Sequence, residues 1–384
     1  SVAAVHAEAA RLPTNRAERA VLIGAAVRDS VSAHLLADVE VGVFLSAGID
    51  SGAILGLARD AGLTRTRAIT VSFDSGACGS EDEAPLAAEV AQAYGAEHVV
   101  RRVNETEFSI DLPAILNAMD QPSIDGVNTW FVAKAAREAG LKVALSGIGG
   151  DELLAGYPSF LNMPAWRRRY GPLASVPGLG RLALVLMGAL VPGVLRRSPK
   201  AAGMLLHAGS LEGTYLLRRG LFLPHELPAF IDPDLVAEGL RELRPLERLR
   251  ATLTPDPGSE TARVGVLESC HYMRDQLLRD ADWAGMAHSV EIRTPLADSA
   301  LLALVAPLTS ALEPGEGKAA LASAPFKPLP PAVATRAKTG FDTPLGAWME
   351  TLLKEQQAVE NRGGVSRRWA KHLLAAQRMM PTAP

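Results

Sequence analysis

The feature that most constrains this chain is an abrupt change from strand to helix near residue 45. The apolar run Val41-Gly42-Val43-Phe44-Leu45 predicts a short buried strand, which breaks into the small-residue segment Ser46-Ala47-Gly48-Ile49-Asp50-Ser51. Directly afterwards, apolar residues recur at the spacing of a helix with one buried face, at Ile54, Leu57, Ala58 and Ala61. The sequence therefore predicts a strand, a tight corner and a helix in direct succession.

Such a corner favours the binding of an anion. Backbone N–H groups of the corner and of the helix start would converge on one spot, where about half a unit of positive charge accumulates. Small residues allow close approach of the backbone, Gly48 can adopt positive φ, and Ser46 and Ser51 add hydroxyl donors. The segment lacks the Gly-Lys-Ser/Thr ending of a Walker loop, and an ordinary strand-to-helix turn is the alternative interpretation.

Asp50 is the unusual member of this corner. A carboxylate beside a phosphate repels it unless a cation lies between them. Mg²⁺ is typically held by one or two carboxylates together with substrate phosphates. The position of Asp50 therefore predicts bound Mg²⁺.

A second corner repeats the pattern about a hundred residues later. The predicted strand Lys142-Val143-Ala144-Leu145 breaks into Ser146-Gly147-Ile148-Gly149-Gly150-Asp151-Glu152. Ligands of doubly wound sheets lie beyond the carboxyl ends of the strands, so both corners reach the same crevice if their strands are neighbours. The pair predicts one nucleotide-phosphate and Mg²⁺ site, with Asp50 and Asp151 as the carboxylates that face the metal.

The fold class follows from the alternation of elements. Residues 17–36 predict a lead-in helix, Arg67 to Phe73 and Glu97 to Val103 predict further strands, and Ser80 to Glu83 is a capping box that would open a helix. This rhythm predicts an α/β protein with a doubly wound parallel sheet. From about Pro158 strands disappear and helices follow, so we expect a lead-in helix at 1–40, an α/β core at 41–160 and a largely helical C-terminal part at 161–384.

Composition excludes several classes of protein. With 384 residues, 48% of them apolar and 21% charged, the chain is typical of a globular protein, and a net charge of −3 gives no reason to expect a nucleic-acid partner. Cys78 and Cys270 are too few for a disulfide framework or a cysteine-rich zinc site. No secretory signal is evident, and the apolar run Leu182 to Leu195 is short and interrupted by Pro192, so we expect a cytoplasmic protein without a membrane partner.

Two later segments also invite interpretation. In the segment 282–298, Glu291 and Arg293 are separated by one apolar residue, a pattern suited to a buried charge pair between helices. In the segment 338–348, the lone Lys338 precedes a glycine turn and Trp348 provides an aromatic anchor. Each segment could be purely structural, and position alone does not decide.

Together, four segments resemble the synthetase domain of the asparagine synthetase family, glutamine-dependent ligases of the N-type ATP pyrophosphatase (PP-loop) group. The resemblance runs in order from about Ala33 to Trp348, and the matching segments are 46–51, 146–157, 286–298 and 338–348. It implies an adenine nucleotide alpha hydrolase-like fold and an amidotransferase-type ligase, which in the best-known members serves asparagine biosynthesis. It also implies ATP and Mg²⁺ as cofactors. The implied reaction adenylates a carboxylate with loss of pyrophosphate, after which an amine attacks.

The resemblance also assigns roles to residues. Ser46, Ala47, Gly48, Asp50 and Ser51 would hold the pyrophosphate portion of ATP, with Mg²⁺ shared by Asp50 and Asp151. Lys338 matches a lysine that neutralises charge on the phosphates as the adenylate forms, a task suited to a compact point charge. The positions that match the lining of the adenosine pocket are Leu45, Val71, Ser146 and Gly147.

Two departures from the family pattern bear on the substrate. Ala47 replaces the usual middle glycine, which is acceptable if its φ is negative. Ile148 stands where asparagine synthetases usually carry a Glu implicated in adenylate formation or in deprotonating the amine, and loss of a general base costs about 10² to 10⁴ in rate. β-Lactam synthetases also replace this Glu, so aspartate is not assured as the substrate. Glu152 and Asp125 are candidates for a substitute base.

The nitrogen source stays open. The family normally carries an N-terminal glutaminase domain, and only about forty residues precede the first predicted strand. Either that domain lies outside this sequence, a partner supplies it, or the enzyme takes free ammonia or another amine. A homodimer is one alternative for the oligomeric state. A specialised amide or macrolactam synthetase and a non-catalytic ATP-binding subunit are the competing functions, whereas a nucleic-acid thiolation enzyme is disfavoured by the charge and by the lack of paired cysteines.

Overall fold

We describe the protein from a computed structural model. The structure describes residues 1–9, 12, 15–74, 82–191, 193, 199–336, 348 and 365–376. The chain forms two compact units, which we call the sheet unit (residues 8–156 and 271–358) and the helical unit (residues 1–7, 157–270 and 359–384). Residues 271–358 thus belong with the sheet although they follow the helical segment. The domain boundaries that we predict at residues 40 and 160 stay a prediction.

The sheet unit contains five parallel strands. They are β1 (Val41–Phe44), β2 (Arg67–Phe73), β3 (Glu97–Val103), β4 (Val143–Leu145) and β5 (Glu291–Arg293), in the spatial order β3-β2-β1-β4-β5. The predicted α/β fold with a parallel sheet is confirmed. Val41 lies opposite Val143 and Val43 opposite Leu145, so β1 and β4 are neighbours that end at the same level.

Helices follow most strands. The first helix, α1 (Val2–Glu8), has residues 2–7 in the helical unit. The next six in chain order are α2 (Arg16–His34), α3 (Ile49–Asp60), α4 (Ala84–Tyr94), α5 (Glu105–Ala118), α6 (Gly126–Glu138) and α7 (Gly150–Leu153). The later elements of the sheet unit are the helices Arg279–Ala287, Ser299–Thr309, Glu316–Ser323 and Pro331–Ala334 and the 3₁₀ turn Pro295–Ala297. A π-helix spans Glu268–Leu278.

The core of the sheet unit explains these elements. The apolar positions of α2 and α3, represented by Ile23 and Ile54, are fully buried together with Val43 of β1 and Leu145 of β4. Each such side chain stabilises the fold by about 1.5–3 kcal/mol through the area it removes from water. Helix α2 begins at a capping box, in which Asn15 accepts from the backbone of Glu18.

The helical unit has a core of its own. Met163, Tyr215 and Leu267 are buried in one cluster, and the pair Arg219 Nε–Glu268 Oε2 lies at 2.8 Å. Its remaining elements are the helices Ser159–Ala174, Leu179–Leu190, Pro199–His207, Leu211–Arg219, Pro233–Leu243, Pro245–Thr252, Glu260–Leu267 and Val365–Ala376 and the 3₁₀ turn Leu227–Ala229.

Apolar segments of the helical unit are short. Among the residues that the structure describes, no single helix is long and apolar enough to cross a membrane. Ser159–Ala174 and Leu179–Leu190 reach that length and composition only as a pair, and the pair is bent by 92° at its break.

Several sequence-based expectations need correction. Strands do not end before Pro158, because β5 lies at residues 291–293; three residues with charges at both ends carry no strand periodicity. Glu291 and Arg293 do pair, with Nε and Oε1 at 2.8 Å, but the Glu291 side chain is 60% exposed, so the prediction of a buried pair between helices is wrong. The Arg293 guanidinium also donates to the carbonyls of His34, the last residue of α2, and of Leu36 just after it.

Side-chain hydrogen bonds set the starts of two helices. Helix α6 begins at Gly126, where the Ser123 hydroxyl accepts from the N–H groups of Asp125 and Gly126. Helix α4 begins at Ala84, where Asp82 Oδ1 accepts the Ala84 N–H, and Glu83 makes no side-chain cap. The predicted capping residue Ser80 lies outside the described residues.

Candidate active site

The first corner, between β1 and α3, is held together by hydrogen bonds to its own two serines. The Oγ atoms of Ser46 and Ser51 lie 3.0 Å apart, the Gly48 N–H donates to Ser46 Oγ at 3.1 Å, and the Ser46 N–H donates to Ser51 Oγ at 3.1 Å. Gly48 has φ −88°, so the corner does not use the left-handed region that glycine allows; the hydrogen bond from the Gly48 N–H to Ser46 Oγ shapes the turn instead. Ala47 is not among the residues with positive φ, which explains why alanine is accepted there.

The second corner, between β4 and α7, uses glycines in a different way. Gly149 has φ +102°, and a Cβ there would lie 2.6 Å from the carbonyl carbon of Leu296. Gly147 and Gly150 face the first corner: a Cβ on Gly147 would lie 2.9 Å from Asp50 Cβ, and one on Gly150 would lie 2.5 Å from Asp50 Oδ1. The two corners therefore interlock, and glycine is required because the backbones approach so closely.

Asp50 and Asp151 meet at one cation, the ammonium group of Lys318. Lys318 Nζ lies 2.6 Å from Asp151 Oδ1 and donates to Asp50 Oδ1. The side chains of Lys318, Asp151 and Asp50 are 14%, 11% and 22% exposed. Burial alone would lower the pKa of Lys318, but the charges of the two carboxylates and their hydrogen bonds outweigh it and raise this pKa above its ordinary value.

Lys318 is held by its helix, Glu316–Ser323. Arg19 Nε of α2 donates to Glu316 Oε1 at 2.7 Å, and both residues are buried. The hydrogen bond from Arg19 lowers the pKa of Glu316. The helix start also lies close to the second corner, since a Cβ on Gly317 would be 2.6 Å from the Leu154 carbonyl oxygen. These contacts fix the base of the lysine beside Asp151.

A cavity of about 390 Å³ opens above the first corner. Its wall contains a second ion pair, with Arg336 Nη1 3.4 Å from Glu83 Oε1. The first corner, two cationic side chains and three carboxylates therefore all line the same cavity. Its lining comprises Ser46, Ala47, Gly48, Ile49, Asp50, Glu83, Asp151, Gly156, Gly315, Lys318, Ala319, Val333, Ala334 and Arg336.

The predicted site residues divide into three groups. Ser46, Ala47, Gly48, Asp50 and Asp151 line the cavity. Four others are buried but do not line it: Leu45 and Ser146 directly follow β1 and β4, Val71 lies within β2, and Ser51 lies in the first turn of α3. Gly147 packs against Asp50. Lys338 lies outside the described residues, while Trp348 of the same segment packs its ring 5.5 Å from that of Phe108.

The sequence did not single out Lys318, Arg336 or Glu83 as members of a site. Lys318 stands in an alanine-rich helix without any motif, and Glu83 carries the pattern of a helix cap. Arg336 stands two residues before Lys338, which is the one local indication that could have identified it.

The candidate bases have other surroundings. Asp125 Oδ2 accepts from Tyr272 OH at 3.0 Å and from Gln276 Nε2 at 2.7 Å. Glu152 is 4% exposed, and Ile148 is half-buried with its N–H 3.5 Å from Ser146 Oγ. Asp125, Glu152 and Ile148 are all absent from the lining of the cavity, as far as the structure describes that lining.

The residues present suit a divalent cation. Two carboxylates already converge on one positive charge, and Mg²⁺ takes one or two carboxylates and completes its shell with water and phosphate. Within the described residues, no group of three or more His, Cys, Asp or Glu side chains could hold a metal by itself, so phosphate oxygens would be needed as further ligands.

Fold and site together define an α/β protein whose ligand cavity lies where neighbouring parallel strands end. Comparison with known proteins gives the family. The family model described as asparagine synthase matches residues 22–377, and the chain therefore belongs to the asparagine synthase family, which consists of ATP-dependent amide ligases.

Individual relatives agree with this placement. A Mycobacterium bovis protein provisionally named a glutamine-hydrolysing asparagine synthetase is 33% identical over 339 residues, which are 85% of this chain and 48% of that protein. The glutamine-hydrolysing asparagine synthetase 1 of Bacillus subtilis is 28% identical over 86% of this chain and 50% of its own length. Amidase chyE of Penicillium rubens is 31% identical over 38% of this chain and 24% of its own length. The chain spans about half the length of the first two relatives.

Proposed function

We propose that this protein is an ATP-dependent ligase that adenylates a carboxylate and transfers the acyl group to ammonia or an amine. The observation that carries the proposal is the interlocking of the two corners, which brings Asp50 and Asp151 to one cation beside a cavity. The reaction is proposed by analogy with the asparagine synthase family, to which the chain belongs and which consists of ATP-dependent amide ligases.

In the proposed reaction, a carboxylate oxygen of the substrate attacks the α-phosphorus of ATP. The bond to the bridging oxygen breaks, and pyrophosphate leaves with the electron pair. The backbone of residues 46–51 would hold the pyrophosphate, Asp50 and Asp151 would hold Mg²⁺, and Lys338 would neutralise charge on the phosphates. Mg²⁺, when bound, supplies charge neutralisation and Lewis acidity. Leu45, Val71, Ser146 and Gly147 would line the adenosine pocket.

In the second step, the amine attacks the acyl carbon and AMP leaves, while a base takes one proton from the amine. The usual Glu of asparagine synthetases is absent, because Ile148 stands in its place. This observation favours a second candidate, a specialised amide or lactam synthetase that acts on a carboxylate other than aspartate. Glu152 and Asp125 stay the candidate bases for this step, although neither is among the described residues that line the cavity.

The test is an ATP–pyrophosphate exchange assay with Mg²⁺ across a panel of carboxylates, followed by mass analysis of the product formed with ammonium. Exchange with aspartate, and asparagine as product, would support the first candidate. Exchange only with other carboxylates would support the second. ATP binding without exchange or AMP formation on any carboxylate would contradict both and favour a non-catalytic ATP-binding subunit.

A further inference from the structure

We propose that Lys318 is the resident counter-ion of the Asp50–Asp151 pair, and that its ammonium gives up these carboxylates to Mg²⁺ most readily when a pyrophosphate group is present to receive it. This inference rests on the proposed function of the same cavity. It adds a residue that takes part in ligand exchange, and it predicts that metal and pyrophosphate strengthen each other's binding.

Lys318 lies at a position in its helix where a positive charge is unfavourable. It is the third residue of the helix Glu316–Ser323, and the positive end of a helix dipole disfavours a cation in the first turn. Its side chain is only 14% exposed, so the ammonium has also lost most of its hydration. Departures of this kind are expected at functional sites, where another requirement overrides local stability.

The space around the lysine is shaped to admit it. A Cβ on Gly156 would lie 2.3 Å from Lys318 Cε and 2.1 Å from Asp151 Oδ1. Any larger residue at position 156 would therefore displace both the lysine stem and the carboxylate. The lysine is thus an integral part of the carboxylate site rather than a surface side chain that reaches it by chance.

The contacts make the ammonium and a metal ion competitors. Lys318 Nζ lies between the two carboxylates, in contact with Asp50 and 2.6 Å from Asp151. A Mg²⁺ ion bound by the same two oxygens, at about 2.0–2.1 Å from each, would need the same position. Mg²⁺ alone must therefore expel the ammonium into a cavity whose remaining carboxylate, Glu83, already pairs with Arg336.

Pyrophosphate changes this balance. Lys318 lines the same cavity as the first corner, so a pyrophosphate held there offers anionic oxygens to the displaced ammonium. Metal and pyrophosphate should consequently bind with positive coupling, and linkage requires each to tighten the other by the same factor.

The test measures binding, with Mn²⁺ as a spectroscopic substitute for Mg²⁺ and inorganic pyrophosphate as the anion. The variant is Lys318→Met in the full chain, and the matched control is Lys327→Met, whose Nζ donates only to the Ala93 carbonyl among its described contacts. Electron paramagnetic resonance gives the Mn²⁺ affinity, and calorimetry gives the pyrophosphate affinity.

In Lys318→Met we expect Mn²⁺ alone to bind about tenfold tighter, and pyrophosphate at saturating Mn²⁺ to bind about tenfold weaker. The control should match the wild type in both. Opposite changes in the two affinities identify a counter-ion, because a merely structural lysine would weaken both. If Lys318→Met does not fold, Lys318→Gln removes the same charge and should show the same pair of changes.

The possible failures are distinguishable. A wild-type protein that binds no pyrophosphate with Mn²⁺ would overturn the proposed function, and this inference with it. A wild-type protein that binds both, combined with a charge-free Lys318 variant that shows no gain in Mn²⁺ affinity, would overturn only the role of Lys318.

Discussion

Two clusters of carboxylates in the sheet unit are stabilised in opposite ways. In the first cluster, Asp50 and Asp151 are neutralised by the ammonium of Lys318 at the edge of a cavity. In the second, Asp280 is buried and receives hydrogen bonds from neutral donors, Ser123 Oγ at 2.7 Å and Trp283 Nε1 at 2.9 Å. In the first cluster the negative charges are neutralised by a positive charge. In the second, both of these hydrogen-bond donors are neutral.

The difference appears in the pKa values. Burial raises the pKa of Asp280 to about 6, the two hydrogen bonds oppose this, and the charges of Asp125 and Asp120 add to it. In the first cluster the carboxylates raise the pKa of Lys318 and keep the lysine charged. A cation that balances two carboxylates can be exchanged for another cation. A carboxylate held by neutral donors cannot make such an exchange without a loss of stability.

Location agrees with this contrast. The second cluster joins the start of α6 to the helix Arg279–Ala287, and a Cβ on Gly126 would lie 2.3 Å from Trp283 Cζ2 and 2.9 Å from Asp280 Oδ1. Such close packing leaves no room for a ligand. We therefore assign ligand exchange to the first cluster and helix packing to the second, and each of the following predictions tests this division.

The largest effect is expected from Asp50→Asn or Asp151→Asn. Each change removes one carboxylate of the proposed metal site, so Mg²⁺-dependent ATP–pyrophosphate exchange should fall by about 10³-fold or more. Circular dichroism should show an unchanged fold. Asp280→Asn is the matched control, since it removes a buried carboxylate from the second cluster, and its exchange rate should stay near that of the wild type. Near-normal exchange in either corner variant would contradict the assignment.

A smaller loss should follow from Gly150→Ala. The new Cβ would lie 2.5 Å from Asp50 Oδ1, so the carboxylate has to move. A displacement of about 1 Å in a catalytic site costs roughly 10²-fold, and we expect a loss of exchange between tenfold and a hundredfold. Gly239→Ala is the control and should leave exchange unchanged, because apart from its chain neighbours and the backbone of its own helix nothing lies within 4 Å of the added Cβ. Equal behaviour of the two variants would show that the corners do not need to interlock.

Asp280→Asn should change the pH dependence of stability. Because the pKa of Asp280 is about 6 in the folded protein against 3.8 ordinarily, its contribution to stability is present below pH 3.8 and is lost as pH rises through 6. The loss is on the order of 2–3 kcal/mol by pH 8. Urea unfolding between pH 4 and pH 8 should show this decline in the wild type and a flatter profile in the variant. Parallel profiles would contradict the raised pKa.

The smallest effect is expected from Ser123→Ala. The variant loses the hydroxyl that donates to Asp280 and accepts the Gly126 N–H, so the free energy of unfolding should drop by about 1–2 kcal/mol. ATP–pyrophosphate exchange should not change, because the second cluster is assigned to packing. Ser323→Ala, at an exposed hydroxyl, serves as the control for stability. A loss of exchange in Ser123→Ala without a loss of stability would break the division between the clusters.

The sequence was informative where local pattern and topology agree. Strands β1 and β4 are short buried hydrophobic runs of the kind that parallel strands require, and β2 and β3 have the predicted bounds. Each of two predicted strands is followed by glycines and an aspartate, and this pattern predicted that Asp50 and Asp151 would meet. The pairing of β1 with β4 brings the two aspartates together. Strand β5 was missed because its three residues carry no period. Helix α5 was missed although Phe108, Leu112 and Ile115 recur at helical spacing behind the N-cap Asn104.

The part of the candidate site that the sequence did not predict is the part that only tertiary packing determines. Lys318 reaches Asp50 across 268 positions of sequence, through a helix held by the pair Arg19–Glu316. No local pattern records such a contact. The φ values of Gly48 and Gly149 could not be predicted from the sequence either. Both glycines lie in similar corners, but only Gly149 adopts the left-handed region.

The most direct test of the account is the position of a metal ion in crystals grown with Mn²⁺ and pyrophosphate. We predict one anomalous scattering peak bonded to carboxylate oxygens of both Asp50 and Asp151, with pyrophosphate against residues 46–51 and Lys318 Nζ moved from the carboxylates to the pyrophosphate. A metal bound elsewhere, or pyrophosphate bound while Lys318 still bridges the two aspartates, would contradict it.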